Sequence, residues 1–188
     1  MARLTRRDLA DAAELVAPRL LGATLVVRAP EGLRRVRLVE VEAYGGADDA
    51  ASHAARGPTP RCAVMFGPPG RLYVYRSYGL HWCANVVTGP PGVAGAVLLR
   101  AGEALDARAR PLGALRGPGL LARHLGLSGD DSGASLVARS GRAWIVGSTE
   151  DLVVATSARV GISRERERPW RFYLPAERAT GRGPRPVA

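Results

Sequence analysis

Three segments with the composition of β-strands follow one another between residues 71 and 101, and only short turns join them. The segments are RLYVYRSY (71–78), LHWCANVVT (80–88) and GAVLLRA (95–101), and a GPPG turn precedes the third. Short links that contain glycine join neighbouring antiparallel strands. We therefore expect an antiparallel meander in this part of the chain.

A further strand is predicted over VRLVEVEAY (36–44), after the β-rich run LLGATLVVRAP (20–30) and a turn that begins at Glu31. Successive side chains of a strand point to opposite faces. One face carries Val39, Val41 and Ala43, and the other carries Val36, Leu38, Glu40, Glu42 and Tyr44. A face that ends in two carboxylates and a tyrosine is expected to open onto solvent or a cleft.

The flanking segments predict short helices. Thr5 and Asp8 begin a capped helical pattern that ends before Pro18, because the residue before a proline avoids the helical conformation. GPGLLARHLGL (117–127) has the early proline and the apolar spacing of a second helix. Between these helices, residues 45–61 have the composition of a loop and residues 102–116 that of an irregular connection.

Three later segments are strand candidates: AWIV (143–146), DLVVAT (151–156) and ARVGIS (158–163). At 188 residues the chain is long enough to bury one core. The expected fold is α+β, a single domain over residues 1–176 with a curved antiparallel sheet flanked by short α-helices. Residues 177–188 are expected to form a disordered basic tail.

The charge of the chain favours a polyanionic partner. The formal net charge is +10, and all 27 basic residues are arginine. Guanidinium groups match phosphate oxygens and displace counterions from nucleic acid. The alternative is an arginine-rich proteome that uses arginine where others use lysine. The lack of lysine excludes a P-loop and a lysine Schiff base.

The N-terminus lacks a continuous apolar run after its basic residues, so we expect a cytoplasmic protein that crosses no membrane. In that compartment Cys62 and Cys83 are expected to be free thiols. The three histidines are scattered, and neither cysteine belongs to a CxxC pair. We therefore expect no metal site and no cofactor.

Tyrosine is concentrated in the middle of the chain, where four of the five residues lie between Tyr44 and Tyr78. Aromatic rings interleaved with arginine suit unstacked nucleic-acid bases. Tyrosine is also an ordinary strand residue, which is the alternative for each of the four.

The block VEVEAYGGADDAASHAARGPTPRCAVMFGPPGRLYVYRSYGLHWCANVV, followed by GAVLLRA, closely resembles the alkyladenine (3-methyladenine) DNA glycosylase family. LLGATLVVR upstream, and GPGLLARHLGL, RVGI and PWRFY downstream, extend the resemblance over nearly the whole chain. The family consists of monofunctional base-excision repair enzymes. The resemblance implies a DNA glycosylase that acts, as a monomer, on double-stranded DNA containing damaged purines.

The resemblance also implies a set of catalytic groups. Glu42, in the EAY motif, corresponds to the carboxylate that deprotonates a water for attack on the sugar C1′. Arg100, in VLLRA, corresponds to the residue that helps hold the water and the acid. The backbone of Val160, Gly161 and Ile162 resembles a further water contact. Glu42 must be ionised in the productive complex.

The groups that would meet the base follow from the same motifs. Tyr44, His53 in ASH and Tyr75 in LYVY correspond to residues that enclose the flipped-out base. Asn85, in CANVV, is where the family tests the 2-position of the purine, and Tyr78, in SYG, matches the side chain that fills the vacated stack. The sequence departs from the family at two positions: Cys62 replaces a common asparagine, and His81 replaces an aromatic or another polar residue.

The implied reaction hydrolyses the N-glycosidic bond of 3-methyladenine, 7-methylguanine or hypoxanthine. Without lysine, strand cleavage through a Schiff base has no ordinary donor, so we expect no lyase activity. The first alternative is a catalytically inactive nucleic-acid-binding protein of the same fold. The second is a carbohydrate glycosidase that uses Glu40 and Glu42 as a pair. Otherwise Glu40 is expected to be solvated or paired with arginine.

Overall fold

Nine strands form one antiparallel sheet in the computed structural model, which describes residues 2–175. The strands are β1 (Thr24–Ala29), β2 (Gly32–Tyr44), β3 (Leu72–Ser77), β4 (His81–Val87), β5 (Ala96–Leu105), β6 (Pro111–Arg116), β7 (Ala143–Val146), β8 (Ala155–Ser157) and β9 (Arg171–Tyr173). Their order is β3-β4-β5-β2-β1-β7, while β6 pairs with β5, β9 with β2, and β8 with β9. The predicted meander is confirmed as β3, β4 and β5. The predicted tail, 177–188, lies outside the described residues.

The long strand β2 is the centre of the sheet. One edge pairs with β5 from Arg35 to Tyr44. The other edge pairs with β1 as far as Arg37 and then with β9 over Glu40–Glu42. The register with β5 shifts on both sides of Glu40, and an irregularity of this kind bends a strand. The C-terminal part of β2, which carries both glutamates, is therefore held between two strands that are distant in sequence.

Close packing beside this bend requires a glycine. Gly102 on β5 lies opposite Leu38 on β2. A Cβ atom at position 102 would lie 2.3 Å from a methyl carbon of Val36 and 2.5 Å from the carbonyl oxygen of Arg37. No real Cβ atom tolerates such distances, so a side chain at position 102 would push β5 away from β2.

Two short helices pack on the sheet and complete the core. The second, α2 (Pro118–Leu125), confirms the helix predicted near its position. It begins at a proline, ends at Gly126 with φ 67°, and buries Leu121, Ala122 and Leu125 against β4 and β5. The curved antiparallel sheet with short flanking helices is the predicted α+β fold.

The continuous helix predicted before Pro18 is wrong. A 3₁₀ turn (Arg7–Leu9), the helix α1 (Ala13–Val16) and a second 3₁₀ turn (Ala17–Leu20) replace it. The break is at Ala12, whose ψ of 151° is extended. It lets Arg19 reach Asp11 at 2.6 Å, whereas eight residues along one helix would separate the two by about 12 Å.

The irregular connection predicted over 102–116 is also wrong, because β5 continues to Leu105 and forms a hairpin with β6. Asp106 holds the turn by accepting hydrogen bonds from the N–H groups of Arg108 and Arg110, at 2.8 and 2.9 Å. The side chains of β6 are almost all exposed, so the strand has no buried apolar face. Alternation of apolar residues, which is the usual sequence signal of a strand, is therefore missing.

The strand predicted over 158–163 is wrong as well, and only the end of the candidate 151–156 belongs to a strand. Pairing with β9 covers Ala155–Ser157 alone. After that the chain turns inward, because the side chain of Arg159 is buried against the end of β2. The strand at 143–146 and the loop at 45–61 are confirmed.

Candidate active site

A cavity of about 660 Å³ opens beside the C-terminal half of β2. The β3–β4 hairpin, the 45–61 loop, β5 and the segment after β8 contribute to its walls. Of the ten residues that the sequence assigned to a site, nine line this cavity: Tyr44, His53, Tyr75, Tyr78, Asn85, Arg100, Val160, Gly161 and Ile162. The tenth, Glu42, lies directly behind the wall and contacts three of them.

The Glu42 carboxylate is 0% exposed, and hydrogen bonds reach both of its oxygens. Oε1 accepts the N–H of Val160 at 2.7 Å. Oε2 accepts the hydroxyl of Tyr44 at 2.9 Å and Nη1 of Arg100 at 3.4 Å. Burial raises the pKa of Glu42 above the usual value for a glutamate, although these three donors oppose the shift. The group is therefore a stronger base than an exposed carboxylate.

Arg100 connects Glu42 to a second buried carboxylate. Its Nε donates to Oε1 of Glu40 at 3.0 Å, and the same oxygen accepts Nε of Arg171 at 2.7 Å. Glu40 is 1% exposed, so the prediction that it pairs with arginine is confirmed and the solvated alternative is wrong. The expectation that this face of β2 opens onto a cleft holds for Tyr44 and is wrong for both glutamates.

His53, Tyr73 and Tyr75 form an aromatic wall of the cavity. The His53 ring meets the Tyr75 ring edge-on, with centroids 4.6 Å apart. Nδ1 of His53 lies 2.9 Å from the hydroxyl of Tyr73. Burial, with a smaller contribution from Arg61, lowers the pKa of His53 to about 4. The imidazole is therefore neutral at physiological pH and does not repel a cationic ligand.

Asn85 lies beside this wall on β4. Its side-chain nitrogen donates to the carbonyl oxygen of Tyr73 at 2.9 Å. The bond crosses from β4 to β3, where Asn85 and Tyr73 are register partners. The amide is buried, and this hydrogen bond fixes its orientation.

Tyr78 occupies the tip of the β3–β4 hairpin at the rim of the cavity. Tyr78 is 92% exposed, and its backbone has a left-handed φ of 48°. Leu80 on the same turn is 72% exposed. Both large side chains of this turn are therefore open to contact with another molecule.

Sequence reasoning missed three residues of this region. Tyr73 had a signal, because a period of two places it on the same face as Tyr75. Asp49 and Arg159 had none: they form a buried ion pair, yet 110 residues separate them and each lies in irregular structure.

The two departures from the family motifs lie outside the contacts of Glu42. Cys62 is buried in a small cluster with Met65 and Tyr73, where it supports the 45–61 loop. His81 is exposed at the start of β4. Both cysteines are free, as predicted.

Within residues 2–175, no group of three or more His, Cys, Asp or Glu side chains could hold a metal ion. Nor does this part of the chain contain a helix with the length and apolar character needed to cross a membrane.

The family of methylpurine-DNA glycosylases matches residues 7–178 of the chain. Three similar proteins carry the name "Putative 3-methyladenine DNA glycosylase". The one from Frankia casuarinae is 50% identical over 91% of this chain and 88% of its own length. Those from Rhodococcus jostii and Cutibacterium acnes are each 46% identical, over 99% and 95% of this chain and 87% and 98% of their own lengths. The chain belongs to the methylpurine-DNA glycosylase family, whose members remove alkylated purines in base-excision repair.

Proposed function

We propose that this chain flips a damaged purine nucleotide out of double-stranded DNA into the 660 Å³ cavity and hydrolyses its N-glycosidic bond with a water activated by Glu42. The observation that carries the proposal is the buried Glu42 carboxylate directly behind the cavity wall. A carboxylate of raised pKa can take a proton from water near neutral pH.

In this reaction a proton of the water passes to the Glu42 carboxylate while the water oxygen bonds to the sugar C1′. The bond from C1′ to the base nitrogen breaks, and its electron pair leaves with the base. A base that is cationic because of methylation leaves as a neutral molecule. Hypoxanthine takes up one proton from solvent as it leaves, and Glu42 returns the proton of the water to solvent, so the hydrolysis balances. The abasic strand stays intact, since the chain has no lysine to form a Schiff base.

The nucleophilic water needs a place between Glu42 and the cavity. The longest of the three hydrogen bonds of Glu42 is the 3.4 Å contact with Nη1 of Arg100. Arg100 lines the cavity and keeps its second bond, to Glu40, when that contact opens. A water between Arg100 and Glu42 would then accept from the guanidinium and donate to the carboxylate.

The cavity provides the contacts that a flipped purine needs. Tyr44, His53 and Tyr75 supply ring surface, and ring quadrupoles attract a positively charged base by about 0.5–2 kcal/mol. Asn85 would test the 2-position of the purine. Extrusion of a nucleotide costs a few kcal/mol and costs least for damaged pairs. Tyr78 would fill the vacated place in the stack.

The proposed substrate class comprises 3-methyladenine, 7-methylguanine and hypoxanthine in duplex DNA. The net charge of +10 supports binding to the phosphate backbone. We further propose that the protein acts as a monomer in the bacterial cytoplasm, bound to the nucleoid during repair. The bacterial relatives and the two free thiols support this location.

The test uses methylated duplex DNA and a second duplex that contains one hypoxanthine. We expect free methylated purines and free hypoxanthine to appear on chromatography, and abasic strands to break only after alkali treatment. Strand breaks without alkali would contradict hydrolysis without lyase activity. Tight binding of both duplexes without base release would favour the inactive nucleic-acid-binding protein.

A further inference from the structure

Arg159 and Asp49 form an ion pair that is completely buried behind the cavity. Both side chains are 0% exposed. Nη1 of Arg159 lies 2.6 Å from Oδ2 of Asp49, and Nη2 lies 2.8 Å from Oδ1. Nη1 also donates to the carbonyl oxygen of Ala43 on β2, at 3.0 Å. Two parallel bonds of this kind fix the guanidinium in position and orientation.

The fixed guanidinium contacts the segments that surround Glu42. It lies over the Tyr44 ring, 4.7 Å from the centroid, and over the Trp170 ring, at 5.2 Å. The next residue along the chain, Val160, donates its N–H to Glu42. The position of Arg159 therefore determines both where this N–H points and what lies against the ring of Tyr44.

Asp49 extends the same connection into the 45–61 loop. Its carboxylate accepts the N–H groups of Gly45 and Ala51, at 2.9 and 3.2 Å, and its carbonyl oxygen accepts the N–H of Ser52. Burial would raise the pKa of Asp49, but Arg159 and these N–H groups outweigh it and lower the pKa. The ionised carboxylate thus organises the turn that carries His53 on the aromatic wall.

Stability alone does not account for this pair. Desolvation of two charges cancels most of their attraction, so a buried ion pair contributes little compared with apolar residues of similar size. In addition, Nε of Arg159 is buried and has no hydrogen-bond partner among the described residues. What the pair provides is a fixed geometry that links the carboxylate side of the cavity to its base-binding wall.

We infer that Arg159 is a positioning residue for the proposed reaction: held by Asp49, it keeps the Val160 N–H on Glu42 and keeps Tyr44 and the His53 turn in register with that carboxylate. This role rests on the proposed function of Glu42. Its consequence is that one side chain, which touches neither water nor base, sets both the basicity of Glu42 and the shape of the base site.

The test compares Arg159→Lys, Arg159→Met and Asp49→Asn with the unmodified protein on the hypoxanthine duplex. Lysine keeps the charge but loses the two-pronged bond, methionine loses both, and asparagine keeps an acceptor oxygen. We expect single-turnover excision to fall about 10- to 100-fold for Arg159→Met, because small misplacements near the reacting atoms have effects of this size. Arg159→Lys and Asp49→Asn should fall between it and the unmodified protein.

The decisive readout is the acid limb of the pH profile, which is the part of the profile where the excision rate falls as the pH is lowered. A hydrogen bond to the ionised form lowers a pKa, so loss of the Val160 N–H raises the pKa of Glu42 further. The acid limb should therefore move to higher pH, by about one unit. If Arg159→Met does not fold, Arg159→Lys and Asp49→Asn should still show the movement in the same direction.

Arg142→Met is the matched control. Arg142 pairs with the buried Asp131 and also donates to the carbonyl oxygens of Arg28 and Gly126. None of these partners lines the cavity. The Arg142→Met substitution should lower thermal stability without moving the acid limb. An unchanged acid limb in folded Arg159 and Asp49 variants would overturn the inference. If Glu42→Gln excises the base as fast as the unmodified protein, the proposed function fails instead.

Discussion

The carboxylate floor and the hairpin tip are opposite in character, although both lie at one cavity. In the carboxylate floor, which comprises Glu40, Glu42 and Arg100, every charge is buried and paired. In the hairpin tip, which comprises Tyr78, Gly79 and Leu80, the two apolar side chains extend into solvent. The proposed proton transfer requires groups that are oriented before the substrate arrives, whereas the proposed insertion of Tyr78 into DNA requires a ring that is still free to be buried.

The largest effect is expected in the carboxylate floor. Glu42→Gln keeps the size of the side chain but removes the carboxylate that accepts the proton of water. The rate of single-turnover excision should therefore fall by about 10³-fold. Affinity for the hypoxanthine duplex, measured by gel shift, should change little. Glu103→Gln is a suitable control because Glu103 pairs with Arg37 outside the site. If Glu42→Gln excised the base as fast as the unmodified protein does, the carboxylate floor would take no part in the chemistry.

Glu40→Gln tests the second carboxylate of the floor. Removing one partner leaves Arg100 and Arg171 buried with less compensation, so the free energy of unfolding in denaturant should fall by about 3 kcal/mol. Glu40 also raises the pKa of Glu42, so its loss should move the acid limb of excision to lower pH. A shift to higher pH is the direction expected for Arg159→Met. If Glu40→Gln also gave it, loss of Glu40 and loss of Arg159 would change the pKa of Glu42 in the same direction.

Tyr78→Ala tests the hairpin tip. Loss of one stacking ring should weaken binding of the lesion duplex by about 1–3 kcal/mol, as titration with fluorescent DNA would measure. The free energy of unfolding should hardly change, because the ring makes no buried contact in the free protein. Tyr78→Phe should bind like the unmodified protein. Equal losses for alanine and phenylalanine would assign the effect to the hydroxyl.

The smallest effect is expected for His53→Gln, on the pH dependence of the excision rate. Burial lowers the pKa of His53 to about 4, whereas burial raises the pKa of Glu42 above the usual value for a glutamate. Replacement should therefore reduce the excision rate without moving the acid limb of its pH profile. Movement of that limb would show that the imidazole, rather than Glu42, determines it.

Sequence predicted those parts of the site that lie close together along a strand. Glu42 and Tyr44 share a face of β2, and their hydrogen bond follows from the period of two. The antiparallel meander that carries Tyr75, Tyr78 and Asn85 was equally visible in short, glycine-containing links.

The rest depends on contacts between distant segments. The register shift against β5 at Glu40 lies where the other edge of β2 changes partner from β1 to β9, and no residue of β2 alone signals it. The pairing of Asp49 with Arg159 joins two irregular segments. The strand β6 escaped prediction because its exposed side chains do not alternate.

The pairing of β9 with β2 has a consequence for synthesis of the protein on the ribosome. Glu40 and Glu42 are made first, whereas Arg171, in the strand that completes their edge of the sheet, follows 131 residues after Glu40. A nascent chain that stops before residue 171 leaves this part of β2 with one open edge and Glu40 without its ion pair with Arg171. The edge of β2 beside the carboxylate floor is therefore closed only after residue 173 has emerged, and a product that ends earlier would lack the buried pairing of Glu40 with Arg171.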